Sequence, residues 1–295
     1  MQKSNNNQYL RLHFIVFIWG FTAILGALIS LDAVPLVWYR MVLAVVFIAV
    51  YLLVKKESFR VPKKGLFQFF ITGILIAVHW IAFFKAIKVS TISVALVVMS
   101  TGAFFTALIE PLFFKRRIKM VEIVLGFIVV VGLGIIFSFE SSYTEGILYA
   151  LLAAFLSALF TVLNGLFVKE YEPAVISLYQ LLFGVLAITV FIGFTTGFSV
   201  DFFQVSAVDW GYLLVLSSIC TAYAYIVSVK VMQTISPYTV MLTINLEPIY
   251  AIVLALFIFG EKEQMKPEFY YGASIVLFVV LLNGILKNKS IFRKK

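Results

Sequence analysis

Charged residues are scarce in this 295-residue sequence, and their scarcity excludes a soluble protein. They make up 13% of the chain, whereas soluble domains contain about 25%. Hydrophobic residues reach 63%, and a globular fold of this size has too much surface to hide them all. A lipid bilayer accommodates this composition because positions that face lipid are also apolar. We therefore predict a membrane protein.

Cysteine and histidine are also nearly absent, which limits the chemistry. The single cysteine, Cys220, excludes an internal disulfide framework, and the two histidines, His13 and His79, cannot form a metal site alone. No phosphate-cradling GxxxxGK[ST] motif occurs, which argues against ATP hydrolysis by this chain. No Ser–His–Asp set is evident either. We expect neither an enzyme nor a bound metal or cofactor.

The chain has no polar stretch long enough for a soluble domain, but it contains ten long apolar runs. A hydrocarbon core of about 30 Å needs roughly 20 residues of helix, and a helix satisfies its own backbone groups in lipid. The first run has no obvious cleavage site, so we expect it to remain as a span. The ten predicted spans are 12–31, 35–54, 66–87, 92–114, 121–139, 147–168, 174–194, 210–232, 238–259 and 269–286.

The net charge of +9 arises from basic residues in short loops and tails beside these runs. The sequence shows no aromatic platform on which nucleobases would stack. The basic residues therefore indicate membrane topology and not a nucleic-acid partner. Cytoplasmic loops of membrane proteins carry an excess of Lys and Arg. If the N-terminus is cytoplasmic, most Lys and Arg residues fall on that side of ten spans. The pattern predicts a multi-pass protein of a bacterial-type inner (cell) membrane with both termini in the cytoplasm.

Two short segments recur in the second half of the chain. Residues 37–43 resemble 177–183, and residues 80–86 resemble 225–231, at nearly equal separations of 140 and 145 residues. Each half, 1–140 and 141–295, then holds five spans. Because five is odd, the second half enters the membrane from the opposite side, as in many secondary transporters. The predicted fold is an all-α membrane protein with ten transmembrane helices in two inverted five-helix repeats.

Four features resemble the EamA branch of the drug/metabolite transporter superfamily. They are Trp19-Gly20 in the first span, Val37-Trp38-Tyr39-Arg40 in the second, Ala86 with Ser90-Thr91 before the fourth, and Asn245-Leu246-Glu247-Pro248 in the ninth. Glu247 stands thirteen residues before Gly260-Glu261. This Glu-Pro, apolar run and Gly-Glu pattern is similar to that of the family.

The resemblance covers nearly the whole chain and implies ten helices, cytoplasmic termini and alternating access. It also implies that spans 1, 3, 4, 6, 8 and 9 line a central cavity and that spans 5 and 10 are peripheral. Known members export amino acids and other small metabolites or take up sugars, so the cargo stays open. The first repeat has Gly102-Ala103 where the second has Glu247-Pro248, so any charge-based mechanism is asymmetric.

Two ionisable residues near mid-span are candidate substrate or proton sites, since a charge there costs at least about 2.5 kcal/mol. Glu247, directly before Pro248, is suited to binding a substrate amine, taking up a proton or pairing with Arg40. The alternative is a structural glutamate tied to a neighbouring helix. His79 is suited to relaying protons, or to bonding two helices together.

Two further charges lie nearer to span ends. We expect Arg40 to snorkel to the outer interface, with pairing to a carboxylate as the functional alternative. Glu110 can reach Lys115 and Arg116, which favours a structural or gating salt bridge over substrate binding.

Aromatic and polar residues complete the predicted cavity, because ligand pockets are mostly apolar with a few aimed polar groups. Thr161 and Asn164 are three apart and share one face of the sixth span. For each residue the alternative is helix packing or an interfacial aromatic belt. The candidates are Trp19, Trp80, Ser100, Thr101, Thr161, Asn164, Tyr223, Tyr225 and Asn245.

These observations predict a secondary transporter of small organic metabolites such as amino acids, with export favoured and alternating access around a central cavity. A sugar or nucleotide-sugar carrier, a nontransporting scaffold and a membrane-embedded enzyme acting on lipid are the alternatives. The expected partners are a small-molecule substrate and the bilayer. Proton coupling through Glu247 or His79 and facilitated exchange are equally compatible with the sequence, which leaves the oligomeric state open.

Overall fold

The computed structural model describes residues 2–115, 117–118, 120–139 and 141–292. These residues form α-helices joined by short turns, with no strand in the described ranges, so the all-α prediction is confirmed. The helices of the first half are α1 Gln2–Leu28, α2 Ala33–Lys55, α3 Lys63–Val89, α4 Ile92–Met99, α5 Gly102–Phe113 and α6 Met120–Phe139.

The second half contains the same kinds of element. Its helices are α7 Thr144–Phe167, α8 Pro173–Phe194, α9 Ala207–Ser217, a π-helix Ser218–Tyr223, α10 Ala224–Val231, α11 Pro237–Ile244, α12 Glu247–Phe259 and α13 Pro267–Phe292. Short 3₁₀ turns at Ser141–Tyr143, Asp201–Phe203 and Gly260–Glu263 connect some of them.

Eight helical stretches within the described residues are long and apolar enough to cross a membrane. They coincide with eight of the ten predicted spans, all except the fifth and the tenth. The fifth and tenth predicted spans fall on α6 and α13, which pack against each other. The chain is therefore a multi-pass helical membrane protein, while the count of ten spans stays a prediction.

The fourth and ninth spans are each broken in the middle. The first break, at Ser100 and Thr101, separates α4 from α5, and the second, at Asn245 and Leu246, separates α11 from α12. Pro248 explains the second break because proline has no N–H to donate to the preceding turn. At the first break, the Ser100 and Thr101 hydroxyls donate back to earlier carbonyls, at 3.1 and 2.8 Å. Both breaks place helix ends near mid-span, where Ser100, Thr101 and Asn245 are buried.

The eighth span contains the π-helix, in which the backbone hydrogen bonds span five residues instead of four. Thr221 donates its hydroxyl to the carbonyl of Leu216, five residues earlier, at 2.6 Å. This bond turns the lone pairs of the Thr221 oxygen toward α2.

Small residues allow α3 and α8 to approach closely. A methyl group added to Gly73 would overlap the carbonyl of Gln180, and one added to Gly184 would overlap Met41 and approach the carbonyl of Gly73. In lipid, helices associate through such close backbone contacts because no hydrophobic driving force exists between them. The crossing at Gly73 and Gly184 brings α3 and α8 together beside the central cavity.

Candidate functional site

A cavity with a volume of about 90 Å³ lies at the centre of the bundle. Each of the six spans that the resemblance implies contributes at least one lining residue, and α2 adds Arg40. The walls are aromatic and aliphatic, as expected for a small-ligand site. The polar and charged groups that face it are Thr22, Arg40, His79, Ser157, Thr161, Asn164, Tyr225, Ser228 and Glu247.

Arg40 is held in the bundle interior. It is only 2% exposed, so the expectation that it snorkels to the interface is wrong. Its Nε donates to the Thr221 hydroxyl at 2.6 Å, and its guanidinium carbon lies 4.0 Å from the centre of the Trp80 ring. Its Nη1 is buried without a hydrogen-bond partner among the described residues. The π-helix and Trp80 thus position a cation that retains hydrogen-bonding capacity.

Glu247 faces the same cavity from the first turn of α12. Its side chain is partly exposed, because it borders the cavity. Gly20 in α1 allows this end of α12 to come close: a methyl group there would lie 3.2 Å from the Cβ of Tyr250 and 3.9 Å from the Glu247 carbonyl. A carboxylate and a guanidinium therefore border one small chamber from different helices.

A closed ring of hydrogen bonds lies on another wall. Asn164 Nδ2 donates to the Tyr225 hydroxyl at 2.9 Å, and that hydroxyl donates to Gln180 Oε1 at 2.7 Å. Gln180 Nε2 donates to Asn164 Oδ1 at 2.7 Å and to the Thr72 hydroxyl at 2.8 Å. A satisfied network of this kind fixes side-chain positions in a low-dielectric interior. Gln180 was not predicted as a site residue, although it is the repeat partner of Arg40.

His79 borders the cavity and also bonds two helices together. Its Nδ1 lies 2.8 Å from the carbonyl of Ala153, and because a carbonyl only accepts, Nδ1 carries the proton. The ring also packs edge-on against Phe160, with centroids 5.2 Å apart. The interhelical contact named as its alternative role is therefore present, together with access to the cavity.

The other predicted aromatic residues divide between two places. Trp19, Trp80 and Tyr225 line the cavity, and Trp19 Nε1 donates to the Cys220 carbonyl at 3.0 Å. Tyr223 does not join them: it is 45% exposed and lies on the outer side of the π-helix.

Several predicted residues lie near the cavity without lining it. Ser100 and Thr101 are buried at the break of the fourth span, where their hydroxyls bond to the backbone. Asn245 is buried at the break of the ninth span, and its amide nitrogen has no partner among the described residues. Thr161 and Asn164 both line the cavity, in agreement with their shared helix face.

Glu110, in α5, lies away from the cavity and contacts the start of α11. It is buried, and its Oε1 accepts the backbone N–H of Tyr238 at 3.4 Å. One of its expected partners, Arg116, lies outside the described residues. The sequence also missed several lining residues whose polarity is low or whose helix face was ambiguous: Thr22, Phe83, Met99, Ser157, Phe160, Cys220, Ser228, Met232, Val240 and Ile244.

Helices long and apolar enough to cross a membrane enclose a small chamber bordered by a guanidinium and a carboxyl group, an arrangement typical of membrane transporters. The sequence profile of the EamA-like transporter family matches residues 9–138 and 144–285. The chain belongs to this family, within the drug/metabolite transporter superfamily. A small-molecule substrate and a lipid bilayer follow as its partners.

Two relatives are also named as transporters, and neither name states a substrate. An uncharacterized transporter, YxxF, of Bacillus subtilis (strain 168) is 21% identical over 283 residues, which cover 93% of this chain and 88% of the relative. An uncharacterized transporter of Archaeoglobus fulgidus is 24% identical over 276 residues, covering 90% and 92%. A crystal structure of a protein matches with a TM-score of 0.67 at 14% identity, covering 94% of this chain and 96% of that one. That likeness shows the fold alone.

Proposed function

We propose that the chain is a ten-span secondary transporter built from two inverted repeats, 1–140 and 141–295, with both termini cytoplasmic in the inner membrane. The family profile matches two separate stretches of similar length, which supports two repeats. The two broken spans support them further. Residues 100–101 and 245–246, where the helices break, are 145 residues apart, the same separation as between the sequence segments at 80–86 and 225–231.

Reciprocal hydrogen bonds between the halves support the same proposal. Arg40 in the second span donates to Thr221 in the eighth, and Gln180 in the seventh donates to Thr72 in the third. An inverted repeat relates the second span to the seventh and the third to the eighth, so the two bonds join corresponding pairs of spans, although Thr72 aligns with Ser217, one helical turn from Thr221.

The neighbouring tyrosines form a second reciprocal pair. Tyr39 donates to the Phe202 carbonyl at 3.1 Å, and Tyr179 donates to the Phe59 carbonyl at 2.8 Å. Tyr39, in the second span, thus reaches the loop after the seventh span, and Tyr179, in the seventh span, reaches the loop after the second. This mutual arrangement is what a pseudo-two-fold axis in the membrane plane produces.

The cargo that the cavity supports best is a small organic metabolite such as an amino acid. The observation that carries this proposal is that Arg40 and Glu247 both border one chamber of about 90 Å³ with aromatic walls. Arginine recognises carboxylates through charge-assisted hydrogen bonds, and a carboxylate recognises amines. The volume disfavours a nucleotide-sugar, and export by alternating access is the direction we favour.

The position of the polar groups also favours transport over the other classes of function. An enzyme acting on lipid needs its catalytic groups at one interface, whereas these residues surround an interior chamber. A scaffold has no need of two ionisable groups that border a cavity and are costly to insert into a membrane.

Transport is tested by solute flux into liposomes that contain the purified protein. We expect at least one radiolabelled amino acid to cross faster than into empty vesicles, and Glu247→Gln to slow it at least about 10-fold. Glu261→Gln, an exposed change in the same half, is the matched control and should leave the flux unchanged. If no amino acid, sugar or other small metabolite crosses faster than in empty vesicles, the proposed function is wrong.

Proton coupling is a separate part of the proposal and has its own measurement. We expect a pH gradient across the liposome membrane to drive uphill accumulation of the transported solute, and Glu247→Gln to abolish that accumulation. If the flux does not depend on the pH gradient but the protein still exchanges solute across the membrane, it is a facilitated exchanger. Glu247→Gln with unchanged flux and unchanged accumulation would remove Glu247 from the site.

A further inference from the structure

A second and larger cavity lies on the outer side of the bundle, apart from the central chamber. It is a groove of about 430 Å³ between α1, α2 and the span that contains the π-helix and α10. Its floor is apolar and is formed by Phe47, Ile48, Ala222, Ile226 and Val227. In a membrane such a groove faces lipid, because it opens away from the protein interior.

The rim of the groove is polar and lies at one end of the bundle. Gln8 and Arg11 are near the start of α1, Tyr51 is near the end of α2, and Lys230 is near the end of α10. The floor residues lie one or more helical turns deeper along the same helices. A polar rim above an apolar floor has the polarity profile of one leaflet of a bilayer. In the proposed topology this is the cytoplasmic leaflet.

The charges at the rim have one sign. Arg11 and Lys230 are exposed, and no carboxylate is among the residues that line the groove, all of which the structure describes. Gln8 Oε1 is buried there and lacks a hydrogen-bond partner among the described residues. Basic pockets between transmembrane helices at the cytoplasmic side suit anionic headgroups. The orphan acceptor of Gln8 suits a donor such as a headgroup hydroxyl.

We propose that this groove binds an anionic glycerophospholipid of the phosphatidylglycerol type. The phosphate lies between Arg11 and Lys230, and a hydroxyl of the glycerol headgroup donates to Gln8 Oε1. The acyl chain covers Phe47 and Val227.

The groove shares the π-helix with the transport cavity. Ser218, Ala222 and Tyr223 face the groove, while Thr221 faces inward and accepts the hydrogen bond of Arg40. A lipid in the groove therefore packs directly against the segment that holds Arg40 in the cavity. Lipid binding is expected to stabilise this segment, because a ligand that binds only the folded form raises its stability by mass action.

The test is a thermal-unfolding titration of the full-length protein, purified in a neutral detergent. The probes are short-chain phosphatidylglycerol, phosphatidylcholine with the same acyl chains, and inorganic phosphate. We expect phosphatidylglycerol to raise the melting temperature saturably and the other two probes to leave it unchanged. At about 1 kcal/mol for each basic residue near a membrane surface, Arg11→Gln with Lys230→Gln should weaken binding about 30-fold.

The matched control removes two charges at the same end of the bundle, outside the groove. Lys55→Gln with Lys56→Gln should retain wild-type binding, since both lysines are exposed and line no part of the groove. If the double groove variant does not fold, Lys230→Gln alone should still show a loss of about 5-fold.

Three outcomes would overturn the proposal. Equal stabilisation by phosphatidylcholine would remove the headgroup specificity, and equal stabilisation by inorganic phosphate would identify a site for the free ion. Wild-type affinity in the groove variants would place any bound lipid elsewhere.

Discussion

Arg40 is stabilised by two neighbours at once, and the combination of the two contacts favours arginine over lysine. Its Nε uses the Thr221 hydroxyl, and its planar face lies on Trp80. Lysine offers a compact point charge without the flat guanidinium, so it cannot make both contacts in the same way. The residue is therefore specified by geometry as well as by charge.

Removing the Thr221 hydroxyl, which accepts the hydrogen bond of Arg40, tests how much this bond contributes to stability. We expect Thr221→Val to lower the free energy of unfolding by about 1.5–3 kcal/mol, because a hydrogen bond to a charged group is lost. Substrate affinity should fall with it. The control is Thr195→Val, an exposed threonine whose hydroxyl bonds only to its own helix. Equal melting temperatures for the two variants, measured in detergent, would contradict the assigned role.

The ring of hydrogen bonds makes a second prediction at this scale. Tyr225→Phe leaves Gln180 Oε1 without its donor and Asn164 Nδ2 without its acceptor. Unsatisfied buried groups cost about 1–3 kcal/mol each, so we expect a destabilisation of that order in thermal unfolding. Tyr223→Phe is the neighbouring control. It removes a hydroxyl from the exposed side of the same span, and we expect no more than about 0.5 kcal/mol.

At the scale of whole elements, the crossing of α3 and α8 depends on glycine. We expect Gly73→Leu to destabilise the protein by at least about 1–3 kcal/mol, because the obstacle is the backbone carbonyl of Gln180, which a rotamer change cannot move. Gly193→Leu places the same side chain on α8 where no atom lies within 4 Å. If both variants unfold at the same temperature, the close crossing is not needed for stability.

At one end of the bundle, two carboxylates accept hydrogen bonds from other helices. Glu263 accepts hydrogen bonds from the backbone N–H groups of Ile92 and Ser93, both at 3.0 Å, at the start of α4. Asp209 accepts from the backbone N–H of Ser30 at 2.9 Å, after the end of α1. These bonds join the broken fourth span and the first span to elements of the second half. In an alternating-access cycle they would have to break when this end opens.

Cys220 reports whether Glu263 holds that end closed, because the thiol is native, buried and borders the cavity. We expect Glu263→Ala to increase the rate at which an impermeant maleimide labels Cys220 from outside intact cells. The physical reason is a population shift toward the opened state once the closed state loses its contacts. Glu261→Ala changes an exposed glutamate in the same turn and should label like the wild type. Unchanged labelling in Glu263→Ala would show that the contact does not gate access.

How far the sequence predicts this molecule depends on the scale of the feature. Long apolar runs predicted the eight helices that are long and apolar enough to cross a membrane, because the thickness of a bilayer dictates their length. The position of Arg40 was predicted wrongly, since distance from a span end does not show which face neighbouring helices cover. Tyr223 and Tyr225 were indistinguishable, and only the π-helix decides which of them faces the cavity. Gln180 was overlooked because it is uncharged, although its repeat alignment with Arg40 pointed to it.

The proposed ten-span arrangement and one with only the eight long apolar helices as spans both leave the two termini on the same side, so labelling of the tails alone does not distinguish them. The difference lies in α6, because a crossing by α6 puts its two flanking loops on opposite sides of the membrane. In a Cys220→Ser background, we expect an impermeant maleimide to label Ser142→Cys from outside intact cells and to leave Ile118→Cys unlabelled until the cells are permeabilised. Thr196→Cys should be labelled from outside and Ser290→Cys should not, because an inverted second half begins where the first half leaves the membrane. Labelling of positions 118 and 142 from the same side would remove the fifth span and, with it, the odd number of crossings that inverts the second repeat.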